Sequence, residues 1–167
     1  MSVLINDEAF ASELISQRQG TGIDRNDEVW DGIYIKSPIA NNEHQSLATE
    51  LSGSLVTIID WKGLGRTLAG ANVSDRRADW TTNYRIPGVL VFLNETVAQD
   101  CGTHWFGGPD FVVEIVSPGD RTLEKLVFYA SVETRELLVI DRDPWQLTLY
   151  RLSNSKKLVP VAVSSIS

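Results

Sequence analysis

Apolar residues recur at intervals of three and four residues in one long segment of the chain, which predicts an amphipathic helix. Leu47, Leu51 and Leu55 lie on its apolar face, and the Asn41-Asn42 pair before it is a helix-cap signal. Weaker versions of the same pattern occur near the N-terminus and after a Ser-Pro-Gly-Asp turn. The predicted helices are Asn6–Gln17, Asn42 to about Ile59, and Arg121 to about Ser131.

Short runs of β-branched and aromatic residues predict strands through much of the rest of the chain. The Asp31-Gly32 pair between two such runs indicates a tight hairpin, because both residues tolerate positive φ angles. The run Phe111–Val116 has the composition of a buried central strand. The predicted strands are Val29–Trp30, Ile33–Ile35, Thr67–Val73, Trp80–Ile86, Val89–Leu93, Phe111–Val116, Glu136–Ile140, Trp145–Tyr150 and Leu158–Val163.

This order of helices and strands predicts an α/β (α+β) fold in which helices flank a central mixed sheet, with an N-terminal helix and hairpin. The 167 residues suit a single domain, residues 1–167, because no linker or internal repeat divides them. No apolar run approaches the roughly 20 residues that a membrane helix needs, and no secretory signal is visible. With Cys101 as the single cysteine, we expect a cytoplasmic protein without disulfides.

The net charge of the chain limits the ways in which it could bind nucleic acid. The 15 Lys and Arg residues against 22 Asp and Glu residues give a net charge of −7, which argues against broad coating of nucleic acid by the whole surface. One stretch, residues 61–90, is nevertheless basic. A phosphate backbone could approach there, although a solvated loop with scattered arginines is the commoner explanation.

Glu114 interrupts the apolar run Phe111–Val116, and a buried carboxylate is costly unless it is paired or binds a cation. Lys125 follows on the next predicted helix, where the chain could bring it back over Glu114. Such a pair could hold a divalent cation and orient a water for attack on phosphate. A purely structural strand–helix salt bridge explains the two residues equally well at this point.

Several short motifs occur in a characteristic order. They are Glu28-x-x-Asp31-Gly32, Ser37-Pro38, His44, Pro87, Pro109-Asp110-Phe111-Val112-Val113-Glu114-Ile115-Val116-Ser117-Pro118, Glu124-Lys125 with Tyr129, and Val139-Ile140-Asp141. In this order and spacing the chain resembles the bacterial Uma family of restriction endonucleases, within the PD-(D/E)XK nuclease superfamily. The resemblance extends from the first helix to the last strands.

The resemblance implies a restriction-endonuclease-like fold and Mg²⁺-dependent hydrolysis of DNA phosphodiester bonds. Carried across, Glu28, Glu114 and Lys125 are the catalytic residues, and Glu28, Glu114 and the Ile115 carbonyl are the metal ligands. The lysine has moved from the strand to the following helix, in agreement with Val116 at the usual lysine position. A homodimer is also implied, because nucleases of this fold often cut two strands with two subunits.

The chain departs from the family pattern at Gly88. In the family, the residue that follows this proline is a metal-binding Asp. Glycine supplies neither charge nor a side-chain ligand. Asp110 lies about 13 Å along the strand from Glu114, too far to share a cation, and nothing in the sequence places Asp75 or Asp79 at the site. Two functions remain open: an endonuclease with a weakened metal site, or an inactive pseudo-nuclease that acts as a binding or assembly module.

Overall fold

The computed structural model describes residues 3–37 and 40–165, so Pro38 of the Ser37-Pro38 motif lies outside the described residues. The helices are α1 (Glu8–Thr21), α2 (Asn42–Leu55) and α3 (Lys125–Ser131), with a π-helical turn at Val56–Asp60 and 3₁₀ turns at Trp80–Thr82 and Thr122–Glu124. The strands are β1 (Val3–Ile5), β2 (Glu28–Trp30), β3 (Ile33–Lys36), β4 (Gly65–Leu68), β5 (Val73–Ser74), β6 (Tyr84–Arg85), β7 (Val89–Leu93), β8 (Gln99–Asp100), β9 (Trp105–Phe106), β10 (Phe111–Ile115), β11 (Glu136–Arg142), β12 (Trp145–Leu152) and β13 (Leu158–Ser165).

Two sheets organise the described residues, and the predicted α+β class is confirmed. The central sheet has the strand order β13-β12-β11-β10-β7-β4 and is mixed, because β10 and β11 run parallel while the other neighbours are antiparallel. A second sheet of short strands has the order β1-β3-β2-β6-β5-β9-β8. None of the helices in the described ranges combines the length and apolar character needed to cross a membrane.

Local signals in the sequence fix several element boundaries as predicted. Asp31 and Gly32 adopt φ angles of 48° and 83°, as a tight hairpin turn between β2 and β3 requires. The Asn41 side chain caps α2 by accepting a hydrogen bond from the His44 N–H at 2.9 Å. Asp7 caps α1 in the same way, through the N–H of Phe10.

Two predicted strands are wrong in their extent. The segment Thr67–Val73 is split between β4 and β5, which belong to different sheets. The segment Trp80–Ile86 begins as a 3₁₀ turn and becomes a strand only at β6. The β5 and β6 strands have two residues each, so long-range pairing decides their place rather than a local pattern of side chains.

The hydrophobic core occupies both faces of the central sheet. Helix α2 packs Leu47 and Leu51 against the face that carries Val113 and Ile115. Helix α3 and the second sheet cover the other face, where Phe92 of β7 stacks on Trp105 of β9 at 3.6 Å between ring centroids. Strand β10 is therefore covered on both sides, as its apolar sequence predicts.

A buried ion pair fixes the chain immediately before β2. The Arg18 guanidinium donates to both carboxylate oxygens of Asp27, with Nε–Oδ2 at 2.5 Å and Nη2–Oδ1 at 2.8 Å. The Tyr34 hydroxyl and the Ser37 N–H also donate to Asp27. Because Asp27 adjoins Glu28, this network sets the position at which the first strand of the hairpin begins.

We predict that Asp27→Ala lowers the free energy of unfolding by about 3–5 kcal/mol, because it leaves the Arg18 guanidinium buried without its partner. The matched control is Asp100→Ala, which removes an aspartate paired with Arg66 across an exposed contact of 3.5 Å. We expect that variant to lose about 1 kcal/mol or less. Urea unfolding of the three proteins checks both values, and equal losses would contradict the structural role of Asp27.

Candidate functional site

Three buried charged side chains from separate elements meet at one end of the central sheet. Glu28 begins β2, Glu114 lies in β10 and Lys125 begins α3. The Lys125 ammonium lies 2.9 Å from Glu28 Oε1 and 3.2 Å from Glu114 Oε1. The residues are only 2%, 5% and 8% exposed, in chain order. This arrangement, called the Glu28–Lys125–Glu114 cluster below, joins two carboxylates through one ammonium group.

The carboxylate of Glu114 has two hydrogen-bond donors on a single oxygen. Besides Lys125, the Tyr129 hydroxyl donates to Glu114 Oε1 at 2.5 Å, from one turn further along α3. Burial raises the pKa of Glu114, and the positive charge of Lys125 opposes that rise. The pKa of Tyr129 is raised by burial and by Glu114, so the hydroxyl remains a donor.

The ammonium of Lys125 is held in its charged form. Burial alone lowers the pKa of a lysine, but Glu114 and Glu28 outweigh that effect and raise the pKa of Lys125 above its usual range. A lysine of this kind supplies a fixed positive charge at neutral pH. It cannot act there as a base that removes a proton from water.

Glu28 is held by donors on both carboxylate oxygens. Its Oε1 accepts the Ile86 N–H at 2.8 Å in addition to Lys125, and its Oε2 accepts Trp30 Nε1 at 2.7 Å. The Trp30 ring in turn faces the Arg85 guanidinium, whose central carbon is 4.5 Å from the ring centroid. These contacts fix Glu28 in one orientation.

Gly88 immediately precedes strand β7, which pairs with the strand that carries Glu114. In the antiparallel pair β7–β10, Val89 is opposite Val113, so the register carries Gly88 to the position opposite Glu114. Opposite residues of an antiparallel pair share a face. A Cβ atom at Gly88 would be 3.3 Å from the Val113 carbonyl oxygen, a close contact that requires the backbone to shift by a few tenths of an ångström. The aspartate that the family resemblance places at this position would therefore lie beside the Glu28–Lys125–Glu114 cluster.

The cluster borders a cavity of about 430 Å³. Gly88 and Ile115 border it from the central sheet, and polar residues of α2 form another side. Among these, His44 is half-buried, and its Nδ1 atom is buried with no hydrogen-bond partner in the described part of the chain. Burial lowers the pKa of His44, and the charge of Arg142 lowers it further, which favours a neutral imidazole.

Sequence reasoning placed Glu28, Glu114 and Lys125 as candidates, and the structure brings the three together. Sequence reasoning did not predict the contacts of two further residues, Trp30 and His44, although His44 belongs to the motif pattern. The hydrogen bond from Trp30 to Glu28 was not predicted, although residues two apart on a strand share a face and could have indicated it. The place of His44 at the cavity depends on the packing of α2 against the sheet, which no local pattern reveals.

The oxygen atoms around the cavity match the minimum that Mg²⁺ accepts in proteins. No group of three or more His, Cys, Asp or Glu side chains within residues 3–37 and 40–165 is placed to hold a metal ion. The carboxylate residues Glu28 and Glu114 border the same cavity, as does Ile115. Mg²⁺ is often bound through one or two carboxylates plus water and substrate phosphate oxygens, so Glu28 and Glu114 fit the ion, and Asp120 is a further carboxylate that lines the same cavity.

The other acidic candidates are engaged away from the cavity. Asp110 accepts the Leu93 N–H at 2.9 Å and pairs with Arg135. Asp75 accepts from the Asn83 amide, and Asp79 is not among the residues that line the cavity. None of the three replaces the carboxylate that Gly88 lacks.

The basic segment, residues 61–90, does not form a continuous unpaired surface. Arg66 pairs with Asp100, and Arg76 pairs with Asp31. Arg85 is buried, with its guanidinium over the Trp30 and Phe128 rings.

We predict that Lys125→Met makes folding more sensitive to pH. Without the ammonium, the pKa of Glu114 rises further above its unfolded value, so the folded state binds the carboxyl proton more tightly than the unfolded state does. The loss in free energy of unfolding is therefore greatest above neutral pH, at about 3–5 kcal/mol, and decreases as the pH falls.

Urea unfolding of Lys125→Met at several pH values between about 5 and 8 measures this effect. Lys62→Met, at an exposed lysine outside the cluster, is the control and should show no such trend. We expect Glu114→Gln combined with Lys125→Met to recover part of the loss at high pH. A loss that stays constant across the range would count against the coupling.

Comparison with known proteins agrees with this geometry. The family model Uma2, described as "Putative restriction endonuclease", matches residues 18–165. No curated protein matches the chain. Among solved structures, the chain is similar to a "putative nuclease belonging to DUF820" from Anabaena variabilis ATCC 29413, with a TM-score of 0.62, 17% sequence identity, and coverage of 75% of this chain and 71% of that one.

The structural neighbour confirms the nuclease-like fold predicted from the sequence, and the family match covers nearly the whole chain. The match includes every residue of the Glu28–Lys125–Glu114 cluster, as well as Gly88. The chain is therefore a member of the Uma2 family of restriction-endonuclease-like proteins.

Proposed function

We propose that the chain hydrolyses DNA phosphodiester bonds with Mg²⁺ at the Glu28–Lys125–Glu114 cluster, and that Gly88 weakens its affinity for the metal. The observation that carries the proposal is the buried ammonium shared by two carboxylates beside an open cavity. Membership of a restriction-endonuclease-like family supports the same reaction class. Glu28, Glu114 and the Ile115 carbonyl are the proposed metal ligands.

The bound metal would supply Lewis-acid stabilisation of the phosphate and lower the pKa of a coordinated water. The side chains of the protein orient the reacting groups and stabilise charge. Lys125, fixed in its charged form by Glu114 and Glu28, orients the attacking water and stabilises the negative charge that develops on the phosphate. Tyr129 and Trp30 hold the two carboxylates in place through their hydrogen bonds.

The weak point of the proposed site is its charge. Two carboxylates carry −2, and Lys125 already compensates half of it within hydrogen-bond distance. An aspartate at position 88 would add a third carboxylate opposite Glu114. We therefore expect the free protein to bind Mg²⁺ weakly and to rely on substrate phosphate oxygens to complete the coordination.

We predict that Gly88→Asp increases metal-dependent cleavage. The added ligand should lower the Mg²⁺ concentration for half-maximal cleavage by about tenfold or more, since a conserved ligand contact is commonly worth that much in metal affinity. Gly53→Asp is the matched control, because a side chain at that exposed helix position meets nothing within 4 Å. Plasmid and oligonucleotide cleavage, together with calorimetric Mg²⁺ or Mn²⁺ titration, measures both variants.

Glu114→Ala tests the proposed metal site by removing a ligand rather than adding one. It removes one proposed ligand and one partner of Lys125, and we expect it to abolish metal-dependent cleavage in both the native and the Gly88→Asp backgrounds. Circular dichroism and urea unfolding establish that the variant is folded. Equal cleavage by the native protein and by folded Glu114→Ala would contradict the assignment, because the activity would then come from another site or from a contaminant.

A second function, a pseudo-nuclease that serves as a binding or assembly module, has one specific observation in its favour. With Gly88 in place of a carboxylate, Lys125 satisfies both remaining acids without a metal. This alternative predicts no cleavage by the native chain and little metal binding until Gly88→Asp restores a ligand. Tight Mg²⁺ binding by the native chain would exclude it. Assembly as a homodimer remains a prediction of the resemblance, and light scattering of the purified chain tests it.

A further inference from the structure

The charged groups of the cluster lie at the base of the cavity rather than on its rim. Glu28, Glu114 and Lys125 are all more than nine-tenths buried. The cavity beside them has a volume of about 430 Å³. A backbone phosphate must therefore enter the cavity to reach the Lys125 ammonium.

The sides of the cavity are polar, and apart from the cluster the one charged side chain among the described residues that line it is Asp120. Gln45, Thr49 and Ser52 line it from α2, and Asn26 lines it from the segment before β2. His44 lines the same side. Amide, hydroxyl and neutral imidazole groups form hydrogen bonds with bases and sugars, whereas phosphate contacts usually come from lysine and arginine.

The cations nearest to this end of the molecule are engaged. Arg121 pairs with Glu124, and Arg142 pairs with Glu43 at 2.8 Å. Lys125 is the only cation among the described residues that line the cavity, and both cluster carboxylates hold it. Duplex binding through phosphates depends on lysine and arginine that neutralise several phosphates at once, and the described cavity offers one.

We propose that the cavity accepts an unpaired nucleotide, so that the protein acts on DNA strands with unpaired positions and discriminates against fully paired duplex. This inference rests on the proposed function, since it assigns the substrate class of the same site. Neutral side chains along α2 hold the base and sugar of the unpaired nucleotide, and its phosphate reaches Lys125. Extruding a nucleotide from paired DNA costs unstacking energy, which an unpaired position does not require.

Fluorescence anisotropy with one labelled oligonucleotide tests the inference on the full chain. The oligonucleotide is presented as a single strand, as a duplex with a short bulge, and as a fully paired duplex, once with Ca²⁺ in place of Mg²⁺ and once with EDTA. We expect both unpaired forms to bind about tenfold or more tightly than the paired duplex, with a shallow salt dependence that corresponds to about one phosphate contact. The comparison of strand with bulge separates free single strands from unpaired positions within a duplex.

Two tryptophan variants of α2 locate the binding. Thr49→Trp narrows the cavity from an exposed helix position, and we expect it to weaken single-strand binding by about tenfold or more. Ser46→Trp places the same side chain at an exposed position that does not line the cavity, and should change binding by less than about twofold. If Thr49→Trp and Ser46→Trp bind the strand equally well, the cavity is not the binding site and the inference fails.

The binding and cleavage experiments distinguish a failure of this inference from a failure of the proposed function. Equal or tighter binding of the paired duplex overturns the inference, and Glu114-dependent cleavage of that duplex would leave the proposed function standing. Selective binding of unpaired DNA without cleavage, even by Gly88→Asp, supports the inference as a binding property and overturns the proposed hydrolysis. No binding to any of the three DNA forms overturns both.

Discussion

The ammonium of Lys125 between two buried carboxylates is the interaction on which the arrangement of the site depends. A buried charge is stable only when it is paired and hydrogen-bonded, so each member of the cluster requires the other two. Glu28 belongs to the second sheet, Glu114 to the central sheet and Lys125 to α3. The cluster thus holds three parts of the fold in one relative position, and the same contacts fix the cavity beside them.

Gly88 changes the electrostatics of that position without disturbing its packing. The backbone of β7 keeps its pairing with β10 because the hydrogen bonds of a sheet do not depend on the side chain at position 88. What is lost is one negative charge opposite Glu114. The pairing of β7 with β10 is therefore compatible with glycine or aspartate at position 88, and the Gly88→Asp variant changes the charge of the site within the same fold.

The sequence predicted those parts of the structure that short-range chemistry decides. The Asp31-Gly32 turn, the Asn41 cap and strand Val89–Leu93 follow from φ preferences, capping and apolar runs. The second sheet did not follow, because strands as short as β5 and β6 carry no periodicity of their own and depend on partners distant in sequence. The pairing of Glu114 with Lys125 could be predicted because a short turn joins their strand and helix. The contact between Lys125 and Glu28 spans 97 residues and was indicated only by the family resemblance.

The same burial that strengthens the cluster also controls what can reach it. Removing the three charges from water makes their mutual attraction larger than it would be at the surface, and keeps Lys125 charged. It also places them beside a cavity of about 430 Å³ whose other lining residues are polar or apolar, with Asp120 as the one further charge among those described. The arginines that give residues 61–90 their basic composition are mostly paired or buried, so they add little to the attraction of phosphate at a distance. Access to the cluster is thus governed by the shape and hydrogen-bonding capacity of the cavity more than by the net charge of the chain.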